Sequence, residues 1–390
     1  MTCRDSTYLD WAATAPPAAP VADDFRLGNP SSAHACGQRQ RGALDDAAAA
    51  IGAACGWPAE EVVATGGATE ADHLVLYSPL AYLRDSRAAF RRGIVHSAVE
   101  HAAVAEPAQQ LARMGFPVRV APVGADGLLD LDRFAACLDD ATRLVAVVAV
   151  NNETGAIQPL AAAAEIVRGH ARGIGRRVHF HTDAVQALCR GLEVPVTAAD
   201  SAAASAHKLG GPVGVGALWL RAGAALELLP RGGGQQAGRR PGTENVAGLR
   251  AFARQATALA SAAADHRRHA AHLCERLLAG AMRLRLEVVP RERAARPECY
   301  SPYIVCLSAP GVPAEVLVRV LSDEGVYISR GSACSASGHK TSPVLQAMGV
   351  PAPVAVGAFR VSTGWSTTEA DVDRLLDTLA RALPALRAVA

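Results

Sequence analysis

The stretch Ser205-Ala206-His207-Lys208-Leu209-Gly210-Gly211-Pro212 sets a lysine among small and apolar residues, with a hydroxyl and an imidazole just before it. The chain holds only two lysines, Lys208 and Lys340, against 37 arginines. Such a chain uses Arg wherever charge alone matters. A retained lysine points to chemistry that a permanently protonated guanidinium cannot do, attack by a neutral amine on a carbonyl. Burial among apolar flanks favours the neutral amine. Lys340 sits in Gly338-His339-Lys340-Thr341-Ser342, has no buried strand end beside it, and reads as a solvated loop lysine.

Outward from this stretch, strands and helices alternate. Residues 61–64 form an expected short strand, followed by the turn Gly66-Gly67 and a helix over 69–83. Residues 94–96 and 118–121 are strand-like, and 144–150 are apolar on both faces, as in a buried parallel strand. A helix is expected over 160–171, then strands at 178–182, 202–204 and 215–220. The pattern predicts an α/β domain with a mostly parallel sheet. Residues 245–282 read as one long Ala-rich helix, and the last stretch as an α/β segment ending in a helix over 369–383. The expected division is a large domain at 15–250 and a smaller one built from 1–14 and 251–390.

Composition narrows the classes. The chain has 390 residues, 50% hydrophobic and 19% charged, so it folds around a large core rather than remaining disordered. Its apolar runs are short of the ~20 residues a membrane span needs. The start, Met1-Thr2-Cys3-Arg4-Asp5, lacks the apolar core of a signal peptide, and a soluble cytoplasmic protein is expected. A net charge of +2 and 4% aromatic residues argue against nucleic acid or a membrane surface as partner. Nine cysteines, an odd number with no CxxC, make neither a disulfide framework nor a four-Cys zinc site, and no metal is expected. They read as reduced thiols, mostly packed as small hydrophobes.

In open α/β sheets, ligands bind beyond the carboxyl ends of the strands. There, Thr65-Gly66-Gly67-Ala68-Thr69-Glu70 turns into a helix whose free N–H groups favour an anion. Asn151-Asn152-Glu153-Thr154-Gly155 carries two amides that either hold a ligand or cap a turn. Asp183, with Gln186 one turn on, is either a helix N-cap or the partner of a protonated heterocyclic nitrogen. A phosphate cradle, an acid for a pyridine nitrogen and an amine-bearing lysine, in this order, are what pyridoxal 5'-phosphate requires.

These stretches, with Tyr8-Leu9-Asp10, Gly28-Asn29-Pro30-Ser31-Ser32, Glu100-His101, Gly232-Gly233-Gly234-Gln235, Gly242-Thr243-Glu244-Asn245, Gly331-Ser332-Ala333-Cys334 and Arg360, resemble the cysteine desulfurases of the class V aminotransferase superfamily. The resemblance spans nearly the whole chain. It implies the fold type I architecture of pyridoxal-phosphate enzymes, a large domain with a mostly parallel mixed sheet plus a smaller α/β C-terminal domain. It also implies conversion of L-cysteine to L-alanine, with the sulfur passed to Cys334 as a persulfide for a sulfur-acceptor protein.

Residue by residue, the resemblance implies that Lys208 binds the cofactor covalently and moves protons at the substrate Cα. His101 would stack on the pyridine ring, Asp183 pair with its nitrogen and Gln186 with its phenolic oxygen. Thr69, Ser205 and His207 would hold the phosphate beside Ala68. Thr243 would reach the phosphate of the other subunit of a homodimer. Asn152 would touch cofactor and substrate, and Arg360 would grip the substrate carboxylate.

Cys334 lies in a run from Arg330 to Gly338 too small and polar to be core, and a thiolate there is a strong nucleophile. Rival readings are a selenocysteine lyase or other enzyme on the same fold, and a non-catalytic relative that binds sulfur proteins. Retention of both Lys208 and Cys334 favours the desulfurase. The sulfur's destination stays open between iron–sulfur clusters, tRNA thiolation and DNA modification. Trp11, His73, Gln236, Pro241 and Thr341 depart from the family pattern and bear on local packing and dimer contacts.

Overall fold

The computed structural model describes residues 7–13, 28–83, 92–224, 226–331 and 341–388. Among them the strands are, in chain order, β1 (Thr7–Tyr8), β2 (Val62–Thr65), β3 (Gly93–Ser97), β4 (Val118–Ala121), β5 (Thr142–Ala146), β6 (His179–Asp183), β7 (Ser201–Ser205), β8 (Gly216–Leu220), β9 (Glu287–Val289), β10 (Ile304–Ser308), β11 (Val326–Tyr327) and β12 (Ala358–Ser362). Seven of these form one sheet in the order β2-β8-β7-β6-β5-β3-β4.

All pairs in this sheet are parallel except those of β8, which runs antiparallel to both β2 and β7. The reason lies in the connection. Residues 206–215 are too few for a parallel crossover, which needs a dozen or more residues. They hold the Ala206–Leu209 turn, which ends at Gly210 with φ 75°, a left-handed conformation that glycine adopts without steric cost. Lys208 therefore sits in a tight turn at the carboxyl end of β7.

Helices cover both faces. Ala35–Cys55, Leu160–Gly173 and Val246–Ser261 pack on one side, around Ile51, Phe180, Trp219 and Phe252. Ala68–Leu76 and Ala102–Arg113 pack on the other, around Val63, Val75, Ile94 and Leu111. The residues 144–150 are buried throughout, as their sequence predicts. Beyond β5 their pairing to β6 continues through Val147 N to His181 O at 3.1 Å and Ala149 N to Asp183 O at 2.9 Å.

A second sheet, β12-β10-β9, is antiparallel and packs against Ala263–Arg283, Ala314–Asp323 and Glu369–Ala388 around Leu277, Leu317, Phe359 and Leu375. β1 pairs in parallel with β11, and Asp10 bridges to Ser362. Residues 7–13 thus run beside β12.

Two expectations are corrected. Residues 245–282 are two helices, Val246–Ser261 and Ala263–Arg283, broken at Ala262 with φ −106° and ψ 10°. The first packs in the core of the large sheet and the second in that of the small one, and a single straight helix does not serve both. The helix expected over 69–83 stops at Leu76, and Ser78–Tyr82 is a tighter 3-10 turn that begins around Pro79. No helix among the described residues is long and apolar enough to cross a membrane.

Trp11, a departure from the family pattern, is explained by packing. It is buried edge-on to Trp365 with centroids 4.6 Å apart, and its indole Nε1 donates to Tyr8 O at 3.2 Å. A Cβ on Gly364 would lie 2.1 Å from Trp11 Cε3, against a rigid ring. Gly364→Ala is therefore expected to destabilise the fold by about 1–3 kcal/mol, the usual range for overpacking. Urea unfolding measures this, and a variant as stable as wild type would contradict the Trp11 placement.

Candidate active site

The carboxyl ends of β5, β6 and β7 open into a cavity of about 540 Å³. Its lining includes Ala68, Thr69, His101, Asn152, Asp183, Gln186, Ser205, His207, Lys208 and Arg360, residues widely separated in sequence. Thr243 is exposed and is not part of this lining. Cys334 and Lys340 lie outside the described residues.

The lysine is held from an unexpected side. Lys208 Nζ donates to Ala12 O at 2.7 Å and to Ala13 O at 2.8 Å. Gln186 Nε2 donates to the same Ala12 oxygen at 3.1 Å, while Gln186 Oε1 is buried with no partner. The N-terminal segment thus forms one wall, with backbone carbonyls turned to the amine.

Asp183 forms the floor. Its Oδ1 accepts from Val185 N at 3.0 Å, and since a turn and no helix follows β6, the helix N-cap reading of this residue does not hold. Burial pushes its carboxyl above the usual carboxylate range, while the neighbouring His101, the Val185 hydrogen bond and Lys208 pull the other way. His101 is the N-cap of Ala102–Arg113, and its Nδ1 accepts from Ala103 N at 3.1 Å. In the neutral ring that leaves the proton on Nε2. Burial and the neighbouring Lys208 amine push His207 down to about 4.

The glycine turn opens the Ala68–Leu76 helix as its sequence predicts. Gly67, at φ 150°, precedes the first helical residue, and Thr65 Oγ1 donates to its carbonyl at 2.9 Å. A Cβ on Gly67 would point at Ser205 Oγ from 4.0 Å, so the absent side chain leaves space between helix start and hydroxyl. Arg240 clasps Glu70 in this turn with two N–H groups, at 2.7 and 3.3 Å.

The two amides divide their tasks. Asn151 caps the turn: its Oδ1 accepts from Glu153 N and Thr154 N, and its Nδ2 donates to Val99 O. Asn152 lines the cavity, and its carbonyl accepts from Arg360 Nη1 at 2.8 Å. Arg360 is 1% exposed, and its Nη2 donates to Asp10 Oδ1 at 2.6 Å. Its Nε–H is buried with no partner, a donor left over for an incoming acceptor.

Several contributors were not legible as such. His179, His181 and Asp183 alternate along β6 and so share one face of the strand. His181 Nε2 lies 3.0 Å from Asp72 Oδ1, and its Nδ1 lies 2.8 Å from Ser201 Oγ, which also meets His179 Nε2 at 2.7 Å. Burial pushes His179 down to about 4 and His181 to about 3, so the His181–Asp72 contact at neutral pH is a hydrogen bond between an uncharged imidazole and the acid. The signal was three titratable residues at a period of two, His179, His181 and Asp183, in one short strand. Asp10 stood out only as part of the Tyr8-Leu9-Asp10 match, and the carbonyls of Ala12 and Ala13 gave no signal at all.

A lysine in the turn after one sheet strand, a buried acid at the end of the next, and an anion-favouring helix start define the fold type I class of α/β enzymes. The family model of class-V aminotransferases matches residues 7–375, and the chain belongs to that family. A cysteine desulfurase of Cereibacter sphaeroides is 38% identical to it, over 99% of this chain and 97% of its own. The cysteine desulfurase IscS of Dictyoglomus turgidum is 33% identical, over 99% and 96%. Among solved structures, a NifS-like protein superposes with a TM-score of 0.85 at 30% identity, covering 98% of this chain and 100% of its own. DndA from Streptomyces lividans gives 0.69 at 30% identity, over 86% and 91%.

Glu100, beside His101, is buried at the head of the Ala102–Arg113 helix. Its Oε1 accepts from Val148 N at 2.7 Å and from the Ser97 hydroxyl, and burial pushes its carboxyl up to about 8. The folded protein then holds a proton that the unfolded chain releases near 4.5. The associated stability is present at low pH and is lost as pH rises toward 8. Glu100→Gln keeps the shape but cannot titrate. From pH 5 to 8, wild type should lose stability relative to this variant by up to ~1.4 kcal/mol per pH unit. A pH-independent difference in denaturant midpoints would refute the assignment.

Proposed function

We propose that this enzyme is a pyridoxal 5'-phosphate-dependent cysteine desulfurase that converts L-cysteine to L-alanine and passes the sulfur to Cys334 for delivery to an acceptor protein. The observation that carries the reading is the convergence, in one cavity, of the Lys208 amine, the buried Asp183 carboxyl and the Arg360 fork. The near full-length similarity to proteins named cysteine desulfurase supports it.

The residues present fit the cofactor. The cavity joins an amine, a buried acid, a buried amide oxygen with no partner and a hydroxyl facing a helix start. Bound there, pyridoxal 5'-phosphate supplies an electron sink for negative charge developing at the substrate Cα. Asp183 would hold the ring nitrogen, Gln186 the phenolic oxygen, and His101 would cover the ring face. Ala68, Thr69, Ser205 and His207 would hold the phosphate at the helix start. We assign Thr243 to the phosphate of the partner subunit in a homodimer. Its exposure, away from the cavity of its own chain, supports that assignment.

The chain's own groups then act on the substrate. Arg360 and Asn152 would hold its carboxylate, Arg360 through the Nε–H that lacks a partner. Lys208 Nζ, oriented by the Ala12 and Ala13 carbonyls, would take the proton from Cα and deliver protons to Cβ and Cα as alanine forms. His101, with Nε2 able to carry a proton, would assist. The Cys334 thiolate would attack the substrate sulfur, breaking its bond to carbon and leaving a persulfide on Cys334. We further propose the division into a large domain at 15–250 and a small one from 1–14 and 251–390. A cytoplasmic location accords with the seven described cysteines, all free.

The purified protein is expected to release alanine and sulfide from L-cysteine in the presence of a thiol reductant. Cys334→Ser should abolish alanine formation, while cysteine still shifts the visible absorbance of the bound cofactor. Lys208→Arg should remove that absorbance band altogether. Normal alanine release by Cys334→Ser would instead favour a lyase that needs no thiol. Sedimentation of the cofactor-bound enzyme should give about twice 40.3 kDa, and a fully active monomer would exclude the role of Thr243.

A further inference from the structure

All seven described cysteines are free thiols, but two of them are not alone. Cys55 ends the helix Ala35–Cys55, and Cys189 follows β6 in the segment that carries Gln186. Folding brings them together. Cys189 Sγ lies 3.7 Å from the carbonyl oxygen of Ala54, the residue before Cys55, and the two thiols are neighbours that perturb each other's titration. Both residues are partly exposed at the edge of the large core.

The surroundings make the pair unequal. Arg190, next to Cys189, is a buried cation, and no carboxylate pairs with it among the described residues. Its Nη2 donates to Lys208 O at 3.2 Å, its Cζ lies 5.2 Å from the Tyr303 ring centre, and its Nε has no partner. The hydrogen bond from Cys55 and the charge of Arg190 hold the Cys189 thiol below its ordinary value, against burial. The same hydrogen bond, with burial, raises Cys55. Cys189 also has φ 56°, a left-handed backbone that a residue with a side chain adopts only at a cost.

We propose that Cys55 and Cys189 form a reversible disulfide in which Cys189 is the attacking thiolate and Cys55 the resolving thiol. The oxidant is a peroxide. Cys189 sulfur attacks one peroxide oxygen, the O–O bond breaks, and the departing hydroxide takes up the proton that Cys189 released, giving water and a sulfenic acid. Cys55 sulfur then attacks Cys189 sulfur. The S–O bond breaks, and the leaving hydroxide takes the Cys55 proton as a second water. Each sulfur is oxidised by one electron and the peroxide is reduced by two. A dithiol reductant reverses the bond. The proposal is independent of the desulfurase reading, since it needs neither substrate nor Cys334.

The test treats the cofactor-bound enzyme with hydrogen peroxide, blocks remaining thiols by alkylation and maps its peptides without reductant. A linked peptide joining Cys55 to Cys189 is expected, two hydrogens lighter than the separate peptides and released by dithiothreitol. In Cys55→Ser, Cys189 should stop at the sulfenic acid and be trapped by dimedone. In Cys189→Ser, Cys55 should remain open to alkylation. Mapping of wild type needs no variant to fold. Wild-type protein in which both residues stay alkylatable, or in which Cys189 passes to sulfinic acid without a linked peptide, would overturn the proposal.

Discussion

The hydrogen bonds from the Lys208 amine to the carbonyls of Ala12 and Ala13 join three parts of the molecule at one point. Lys208 belongs to the turn between β7 and β8, and Ala12 and Ala13 belong to a segment whose strand β1 pairs with β11. The same segment gives Ala12 O to Gln186 and Asp10 to Arg360 on β12. Residues 7–13 therefore hold Lys208, Gln186 and Arg360, which come from three distant parts of the chain, in one alignment. An amine among neutral carbonyls is oriented without being neutralised, because a carbonyl accepts hydrogen bonds but brings no opposite charge.

Behind that point lies a second constraint, the gathering of acids in a dry interior. Asp72, Glu100 and Asp183 are all buried, and the charge of Asp183 raises the other two. Three neighbouring carboxylates cannot all stay ionised when little solvent screens them. The fold answers with hydrogen bonds rather than ion pairs: the His181–Ser201–His179 chain at Asp72, Ser97 and Val148 at Glu100. His101 and Lys208 act on Asp183, which lines the cavity beside Asp72.

The departures from the family pattern show how such a framework absorbs change. Trp11 finds Trp365 and is accommodated because residue 364 is glycine. Gln236 turns its Oε1 to Ala64 N at 3.2 Å and its Nε2 to Glu244 at 3.4 Å, at the cost of a left-handed backbone at φ 53°. His73 lies edge-on to Tyr77 at 5.4 Å. None of these three lines the cavity. They adjust contacts around it while the strand ends keep their register.

Local sequence by itself determined the elements and the chemistry. The apolar run 144–150, the glycine turn before Ala68 and the lysine among small residues are short-range signals, set by backbone sterics and by the need to bury apolar surface. They were enough to place Lys208, Asp183 and the helix start at strand ends. The tertiary structure alone decided what depends on residues far apart in the chain. The break at Ala262 follows from two cores that one straight helix cannot serve. The choice of Asn151 as cap and Asn152 as lining follows from where Val99 and Arg360 lie. The contact of Cys55 with Cys189 has no trace in their spacing, and neither do the carbonyls that hold Lys208, since every residue has a carbonyl and only the packing of the N-terminal segment selects two of them.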